Sequence, residues 1–304
     1  MKRQRGLSIP ELMISVMLGM LVVLAAVTLL VASSAGYVAQ AEAASVDDAG
    51  RFALAVIERA VRQSAFVDWE REDAAAGIDP AAAPAVRGLD AASLSSKTSA
   101  IDDPQPAAVN GSDVLALRFA GSADGSATTC AGFAVGAGQD GWSIFYVGIG
   151  PDGEPELRCK YRGANNWSAE AVISGIDSFQ VLYGVDTDGA PDGVPNRYLS
   201  ASEINALDAA LAVEGDSAQE RERDRMRKSW WKRVTSIKVG LLAHGARQSR
   251  QIAGPAVYKL FGPAYDAPDA GASVPRASMK PSQQLRERRA FSATIMLRNR
   301  ARPQ

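Results

Sequence analysis

The apolar run near the N-terminus constrains the fold more than any other feature of this chain of 304 residues. Residues 7–32 carry a single charged side chain, Glu11, and follow a short basic segment with Lys2, Arg3 and Arg5. A helix rises about 1.5 Å per residue, so this run extends for about 39 Å, whereas the hydrocarbon core of a membrane is about 30 Å thick. We therefore predict a transmembrane helix over residues 7–32.

The basic residues before the run predict its orientation, because positive charge is retained on the cytoplasmic side. Everything after residue 33 should then lie across the membrane.

A cleaved secretory signal is one alternative, since Ala41-Glu42-Ala43 has the small-x-small pattern of a cleavage site. Its apolar region would be about 7–15 residues long, however, and the observed run is longer and contains a carboxylate. A plain membrane anchor gives no reason for Glu11, because an ionisable group in a membrane costs about 2.5–3.5 kcal/mol.

The residues around Glu11 match a known motif. The segment from Gly6 to Ser15, GLSIPELMIS, resembles the leader and helix start of type IV prepilins. This resemblance implies that residues 1–6 are a leader, that a prepilin peptidase cleaves between Gly6 and Leu7, and that Leu7 is then N-methylated. Glu11 becomes the fifth residue of the mature chain, as in that family. Two residues depart from the pattern, because Leu7 replaces the usual Phe and Pro10 replaces a branched aliphatic residue. Proline is compatible with a first helical turn.

The charge of Glu11 suits a role between subunits. Cleavage would create an α-amino group on Leu7 at the edge of the apolar phase. We expect the carboxylate to pair with this amine, in its own subunit or in a neighbouring one, because pairing relieves the cost of burying both charges. Such a pair would set the register between helices that pack into a filament. The alternative is a carboxylate that only reaches toward the membrane surface.

The helical pattern continues beyond the membrane segment. Apolar residues recur at helical spacing on one face: Ala49, Phe52, Ala53, Val56, Ile57 and Ala60. This spacing predicts one long helix from about Ile9 to about Ala65, whose amphipathic second half, residues 33–66, packs on a sheet. Residues 67–112 are rich in Ala, Asp, Pro and Ser, which predicts a variable surface loop that could contact partners.

Residues 113–304 predict a β-rich head with a basic C-terminal part. Short runs alternate between apolar and polar residues and are bounded by turn residues, which is typical of antiparallel strands. They lie at about residues 115–119, 142–149, 157–161, 179–185, 237–241 and 291–297. The predicted fold class is therefore α+β, with a long N-terminal helix packed on an antiparallel β-sheet head. The resemblance to pilins implies the same architecture.

Further segments sharpen the resemblance. Gly50–Leu54, Tyr183–Gly189 with Asn196–Tyr198, and Arg289–Arg300 resemble the corresponding parts of PilW-type minor pilins. This resemblance implies a structural subunit, not an enzyme, that helps to initiate type IV pilus assembly. It also implies a position near the fibre tip and a role in pilus-dependent motility or adhesion.

The same resemblance implies partners and location. The partners are other minor pilins, the major pilin, the prepilin peptidase, the inner membrane and the pilus assembly machinery. The head would lie in the periplasm before assembly and on the pilus at the cell surface afterwards. Two alternatives stay open: a minor pseudopilin of type II secretion, and a membrane-anchored tip module that binds calcium, DNA or a surface.

Charge is distributed unevenly along the chain. Residues 36–220 have a net charge of −17 and residues 221–304 a net charge of +14. A basic segment can bind nucleic acid, and residues 221–233 combine charges with Trp230 and Trp231. We favour charge complementarity within the fold or with a like subunit, and tryptophans that dock on the sheet or on a partner pilin. Nucleic acid is therefore not expected as a partner.

The cysteine and histidine content limits the chemistry. Cys130 and Cys159 are the two cysteines of the chain, and the predicted compartment is oxidising. We therefore predict a disulfide between them, the alternative being two unrelated thiols. The single histidine, His244, is predicted to lie in a loop after a strand, and one histidine excludes multi-histidine metal chemistry.

Three carboxylates cluster within one turn. Asp186, Asp188 and Asp192 are spaced as in calcium loops. The segment departs from an EF-hand, because Pro191 stands where glycine is required and Arg197 where the bidentate Glu is required. The favoured alternative is a hairpin turn in which Asp side chains cap backbone N–H groups. No cofactor is therefore expected apart from calcium, for which this turn is the candidate site.

Overall fold

The structure, a computed structural model, describes residues 8–66, 79–106, 108–248, 255–265 and 269–299. The chain divides into two compact units, Met1–Ser45 and Val46–Gln304. Helix α1 (Ile9–Gln63) contributes its first part to the first unit and its second part to the second unit.

The first part of α1, residues 9–45, is rich in apolar residues on all sides. Almost all of its side chains are exposed, and the mean hydropathy of its most apolar window is 2.8. By length and composition the helix can cross a membrane. Pro10 lies in the first turn, where its missing N–H breaks no helical hydrogen bond. Membrane insertion over residues 7–32 stays a prediction.

A five-stranded antiparallel sheet belongs to the second unit. Its strands, in spatial order, are β1 (Val86–Leu89), β2 (Val114–Ala120), β3 (Asp140–Ile149), β4 (Pro155–Arg162) and β5 (Trp167–Ser174). Each strand pairs with the next one in the sequence, so the sheet is a meander.

A four-stranded antiparallel sheet contains the remaining long strands. They are β6 (Ile176–Val185), β7 (Arg197–Leu199), β8 (Val234–Gln248) and β11 (Arg286–Met296), in the spatial order β11-β8-β6-β7. Helices α2 (Ala201–Ala209) and α3 (Ala218–Lys228) connect β7 to β8, and the paired strands β9 (Val257–Lys259) and β10 (Ser273–Pro275) lie between β8 and β11. The long helix and the antiparallel sheets confirm the predicted α+β class.

The main core of the second unit joins α1 to both sheets. The buried residues of α1 are Val46, Gly50, Ala53, Ile57, Ala60 and Val61. The apolar side chains among them pack in one cluster with residues of both sheets, including Leu115, Phe145, Phe179, Val181, Ile237 and Val239. Strand β6 is buried along its whole length. Its second face is covered as well, because Leu182 packs with Phe261 and Ala272.

The buried face of α1 is rotated relative to the predicted stripe. Ala53, Ile57 and Ala60 are buried as predicted, but Phe52 is half exposed. The rotation brings Gly50 into the interface, where the ring of Phe291 packs directly against the helix backbone. Only glycine permits this close approach, and an apolar pattern does not count glycine.

The predicted surface loop over residues 67–112 is wrong from Val86 onward, and its residues 67–78 lie outside the described residues. This part contains β1, and the residues that follow β1 cover one face of the five-stranded sheet. Ala92 and Leu94 are buried there against Ile144 and Tyr146. The small, alanine-rich side chains make the apolar alternation weak, which is why the composition predicted a loop.

A buried lysine lies beneath the same segment. Lys160 is buried, and its Nζ donates a hydrogen bond to Thr98 Oγ1 at 3.2 Å and lies 5.5 Å from the ring centroid of Trp167. Burial lowers the pKa of Lys160 to about 8, although the charge of Asp102 opposes this shift. The segment after β1 thus supplies polar partners to a charge within the sheet.

The contact between Gly50 and Phe291 can be tested by Gly50→Ala. In an exposed helix this change stabilises by about 1 kcal/mol, whereas overpacking a core costs about 1–3 kcal/mol. A Cβ at Gly50 would overlap the Phe291 ring, so we expect a lower melting temperature. Gly36→Ala is the matched control, because no atom lies within 4 Å of a Cβ at Gly36. Thermal unfolding of the full chain in detergent measures both, and a Gly50→Ala variant as stable as Gly36→Ala would contradict the predicted overlap.

Candidate functional site

Glu11 lies in the first turn of α1 and is held by Ser8. The Ser8 backbone N–H and the Ser8 hydroxyl donate to the same carboxylate oxygen, Glu11 Oε2, at 2.9 Å and 2.8 Å. The first helical hydrogen bond runs from Leu12 N to Ser8 O at 3.1 Å. Gly6 and Leu7 lie outside the described residues, so cleavage, methylation and pairing with the Leu7 amine stay predictions.

The start of the helix favours a carboxylate at this position. The first N–H groups of a helix have no intrahelical acceptor and carry partial positive charge. Pro10 has no N–H, so one of these donors is missing. The Glu11 side chain accepts from the Ser8 N–H, as the third residue of a helix does in a capping box.

The second part of α1 is fastened to β11 on one flank. Asp47 forms an ion pair with Arg289 at 2.6 Å. At the helix end, Asn299 Nδ2 donates to the carbonyl oxygens of Arg62 and Ser64 at 3.2 Å and 3.3 Å. Residues 289–299, which carried part of the family resemblance, therefore bind the helix through β11 and the residues just after it.

On the other flank, α1 is fastened to the loop that contains Cys130. Gln63 Nε2 donates to Thr128 O at 2.9 Å, and Arg59 Nη2 donates to Thr128 Oγ1 at 3.2 Å. Cys130 is bonded to Cys159 of β4, with 5.9 Å between the two Cα atoms. The predicted disulfide is confirmed, and it connects the loop beside the helix to the interior of the five-stranded sheet.

The three-carboxylate turn follows β6. Asp186 is buried, and its carboxylate accepts from Asp188 N at 3.2 Å and from Gly193 N at 2.6 Å. Asp192 accepts from Val194 N at 2.8 Å. The contacts of Asp186 with Asp188 N and of Asp192 with Val194 N are those of Asx-type turns. One oxygen from each of the three carboxylates lies within 4.8 Å of the others. Calcium binding by Asp186, Asp188 and Asp192 stays a prediction.

His244 lies within β8, so its predicted position in a loop is wrong. It belongs to an ionic network of buried and partly buried side chains that the sequence did not predict. Its Nδ1 lies 3.0 Å from Asp177 Oδ1, and its Nε2 lies 3.0 Å from Arg286 Nη1. The other oxygen of Asp177 accepts from Arg288 Nε at 2.7 Å. Arg286 donates both Nη atoms to Glu154, at 2.8 Å and 2.9 Å.

The network combines acidic and basic side chains and joins the two sheets. Burial raises the pKa of Asp177, but the hydrogen bond and charge of His244 and the charge of Arg288 outweigh burial and leave the pKa below its ordinary value. The hydrogen bond from Arg286 lowers the pKa of Glu154. Glu154 precedes β4, whereas the other members belong to the four-stranded sheet. The network therefore connects the sheets at one end of the head.

The sequence predicted that Trp230 and Trp231 dock on the sheet or on a partner pilin. Trp231 is buried, and its ring centroid lies 4.8 Å from that of Tyr183 on β6. Trp230 carries Arg233 over its ring at 4.7 Å. Helix α3, just before them, is charged and mostly exposed. One tryptophan thus docks on the sheet.

The N-terminal helix of this chain is apolar in its first part and packs on an antiparallel sheet in its second part. This combination is typical of type IV pilin-like proteins. A family model described as Type IV Pilus-assembly protein W matches residues 144–299, about half of the chain. The chain belongs to this PilW family, as the resemblance implied.

The chain is similar to a solved type IV-like pilin from Thermus thermophilus, with a TM-score of 0.38 and 13% sequence identity. The similarity covers 84% of this chain and 98% of that chain. No match is found among curated proteins.

The disulfide should leave no free thiol in the unreduced protein. Cys130→Ser combined with Cys159→Ser should lower the free energy of unfolding by about 3–4 kcal/mol, because the open chain gains entropy in the unfolded state. Thiol labelling under denaturing conditions and urea unfolding measure the two effects. Stoichiometric labelling of both cysteines without reductant would show that the bond is absent.

The ionic network predicts a dependence of stability on pH. A carboxylate whose pKa is lowered by folding stabilises the fold above its unfolded pKa, about 4, and this stabilisation is lost as the pH falls through the folded pKa. Asp177→Asn should cost about 3 kcal/mol at pH 7, because it leaves Arg288 without its buried partner. It should also flatten the loss of stability below about pH 4.

Urea unfolding between pH 7 and pH 3 measures this dependence. Asp216→Asn, at an exposed aspartate, is the matched control and should retain the wild-type profile. An Asp177→Asn profile parallel to the wild-type profile would refute the assigned electrostatic role.

Proposed function

We propose that this protein is a minor pilin that acts as a structural subunit in the initiation of type IV pilus assembly, near the fibre tip. The observation that carries the proposal is the Glu11 carboxylate, hydrogen-bonded at the start of an exposed apolar helix in a chain of the PilW family. In this role the protein supports pilus-dependent motility or adhesion. It has no enzymatic activity of its own.

The apolar helix supplies the assembly surface in this proposal. Residues 9–45 expose their apolar side chains, which need a lipid or protein environment. Before assembly, the inner membrane covers this surface and the head lies in the periplasm. After assembly, the helices of the major pilin and of other minor pilins cover it. The prepilin peptidase and the assembly machinery act between these two states.

Glu11 sets the position of the subunit within the fibre. Its carboxylate pairs with the Leu7 amine of an adjacent subunit, since both charges would otherwise be buried without partners. A pair formed at one position along two helices fixes their relative register. Apolar contacts alone are non-directional and leave that register undefined.

A deletion strain tests the proposed function. Loss of an initiating subunit should strongly reduce the number of pili per cell, and the gene supplied in trans should restore it. Normal pili that fail to adhere would instead indicate a tip-binding module. Normal pili with defective protein secretion would indicate a type II secretion pseudopilin.

Glu11→Ala should separate membrane insertion from assembly. The variant removes the charge from an apolar span, so insertion should be normal or improved. Mass spectrometry should still find a mature chain that begins at Leu7 and is methylated there. Recovery in sheared pili should fall at least tenfold, because the partner amine is left desolvated and unpaired.

Glu11→Gln is the matched variant that preserves the shape of the Glu11 side chain. It keeps an acceptor but loses the charge, so its recovery in sheared pili should be intermediate. Wild-type recovery of Glu11→Ala would refute the assembly role of Glu11.

A further inference from the structure

Two hydroxyl groups near the start of α1 behave differently. The hydroxyl of Ser15 donates to Leu12 O at 2.9 Å, within its own helix. The hydroxyl of Ser8 donates instead to the Glu11 carboxylate at 2.8 Å. Ser8 also commits its backbone N–H to the same carboxylate oxygen at 2.9 Å. Ser8 thus gives both of its donors to Glu11.

This arrangement has a directional consequence. Both donors reach Oε2, so one edge of the carboxylate is turned back toward the helix start. Among the described residues, Oε1 has no hydrogen-bond partner. A carboxylate has about four lone-pair sites, so Oε1 can accept from a cationic donor while Oε2 stays bound to Ser8.

The arrangement also has an energetic consequence. A carboxylate in an apolar environment strongly favours any donor within reach, and charge-assisted hydrogen bonds are about twice as strong as neutral ones. The Ser8 contacts restrict the rotation of the Glu11 side chain before any partner arrives. A side chain that is already ordered loses less entropy on binding.

We infer that Ser8 is a positioning residue for assembly, which holds the Glu11 carboxylate at the helix start with one oxygen free for the amine of the adjoining subunit. This inference rests on the proposed role of Glu11. It assigns to Ser8 a role in docking between subunits rather than in helix stability alone.

The inference is tested by a double-mutant cycle in cells that lack the chromosomal copy. The variants are Ser8→Ala, Ser8→Thr and Ser15→Ala, with Ser8→Ala also combined with Glu11→Ala. The measured quantity is the ratio of this protein in sheared pili to its processed pool in the membrane. Normalising to the processed pool removes any effect of Ser8 on leader cleavage, since Ser8 lies two residues after the proposed site.

Ser8→Ala should lower this ratio about fivefold, because a Glu11 side chain that is not ordered beforehand loses about 1 kcal/mol more conformational entropy on pairing, which corresponds to that factor. Ser8→Thr keeps the hydroxyl and should stay within about twofold of wild type. Ser15→Ala should have no effect, although it removes a hydroxyl from the same helix. Ser8→Ala should cause no further loss once Glu11→Ala is present.

The outcomes separate the inference from the proposed function. A wild-type ratio for Ser8→Ala, with a low ratio for Glu11→Ala, would overturn the role of Ser8 and leave the role of Glu11 intact. An added loss in the double variant would also overturn it, because Ser8 would then act independently of the carboxylate. A wild-type ratio for Glu11→Ala would overturn both.

Discussion

A carboxylate lies in the first turn of a helix that is otherwise apolar enough to cross a membrane, and the proposed role of the protein follows from this combination. The apolar side chains of residues 9–45 are exposed on all sides of the helix, and in the proposed role lipid or other subunits cover them. In that role, the charge of Glu11 favours the packing of neighbouring subunits that places a hydrogen-bond donor beside its carboxylate. Within the monomer, Ser8 donates two hydrogen bonds to Glu11 Oε2, and Oε1 accepts none from the described residues. The head has a different task, which is to hold the end of α1 rigidly, and it does so on both flanks of the helix.

The sequence predicted those parts of the fold in which a local pattern is strong. The long helix, six of the strands and the disulfide all follow from periodicity, turn residues and compartment, and each is found in the structure. Strand β1 was missed because it has four residues and is followed by small side chains that do not alternate clearly. Helices α2 and α3 did carry a readable signal. Ser200 with Glu203, and Ser217 with Glu220, are S-x-x-E capping boxes, which predict helix starts when sought.

The parts that could not be predicted are those that depend on distant residues. The network residues look like ordinary surface residues in the sequence: Glu154, Asp177, His244, Arg286 and Arg288. Only the pairing of β6, β8 and β11, with the turn before β4 beside them, brings these buried and partly buried side chains together. Lys160 is a similar case, since burial of an ammonium group depends on a segment that itself looked like a loop. The same applies to Gly50. Its role depends on Phe291, which lies at the other end of the chain, and a one-dimensional pattern cannot show that a missing side chain is what allows two elements to touch.

The path from α1 through Thr128 to the disulfide has a mechanical consequence. In the proposed role as a pilus subunit, tension on the fibre would pass along α1 into the head. At the end of α1, Arg59 and Gln63 share the backbone and side chain of Thr128, two residues before Cys130. From there the tension crosses a covalent bond into Cys159, on an interior strand with neighbours on both sides. The hydrogen bonds of β4 to both β3 and β5 would then share the load, which a strand at the edge of the sheet could not do. On the opposite flank, Arg289 of β11 pairs with Asp47, and Asn299, three residues after the end of β11, donates to the carbonyl oxygen of Arg62 at the helix end. These contacts oppose rolling of the helix on the sheet.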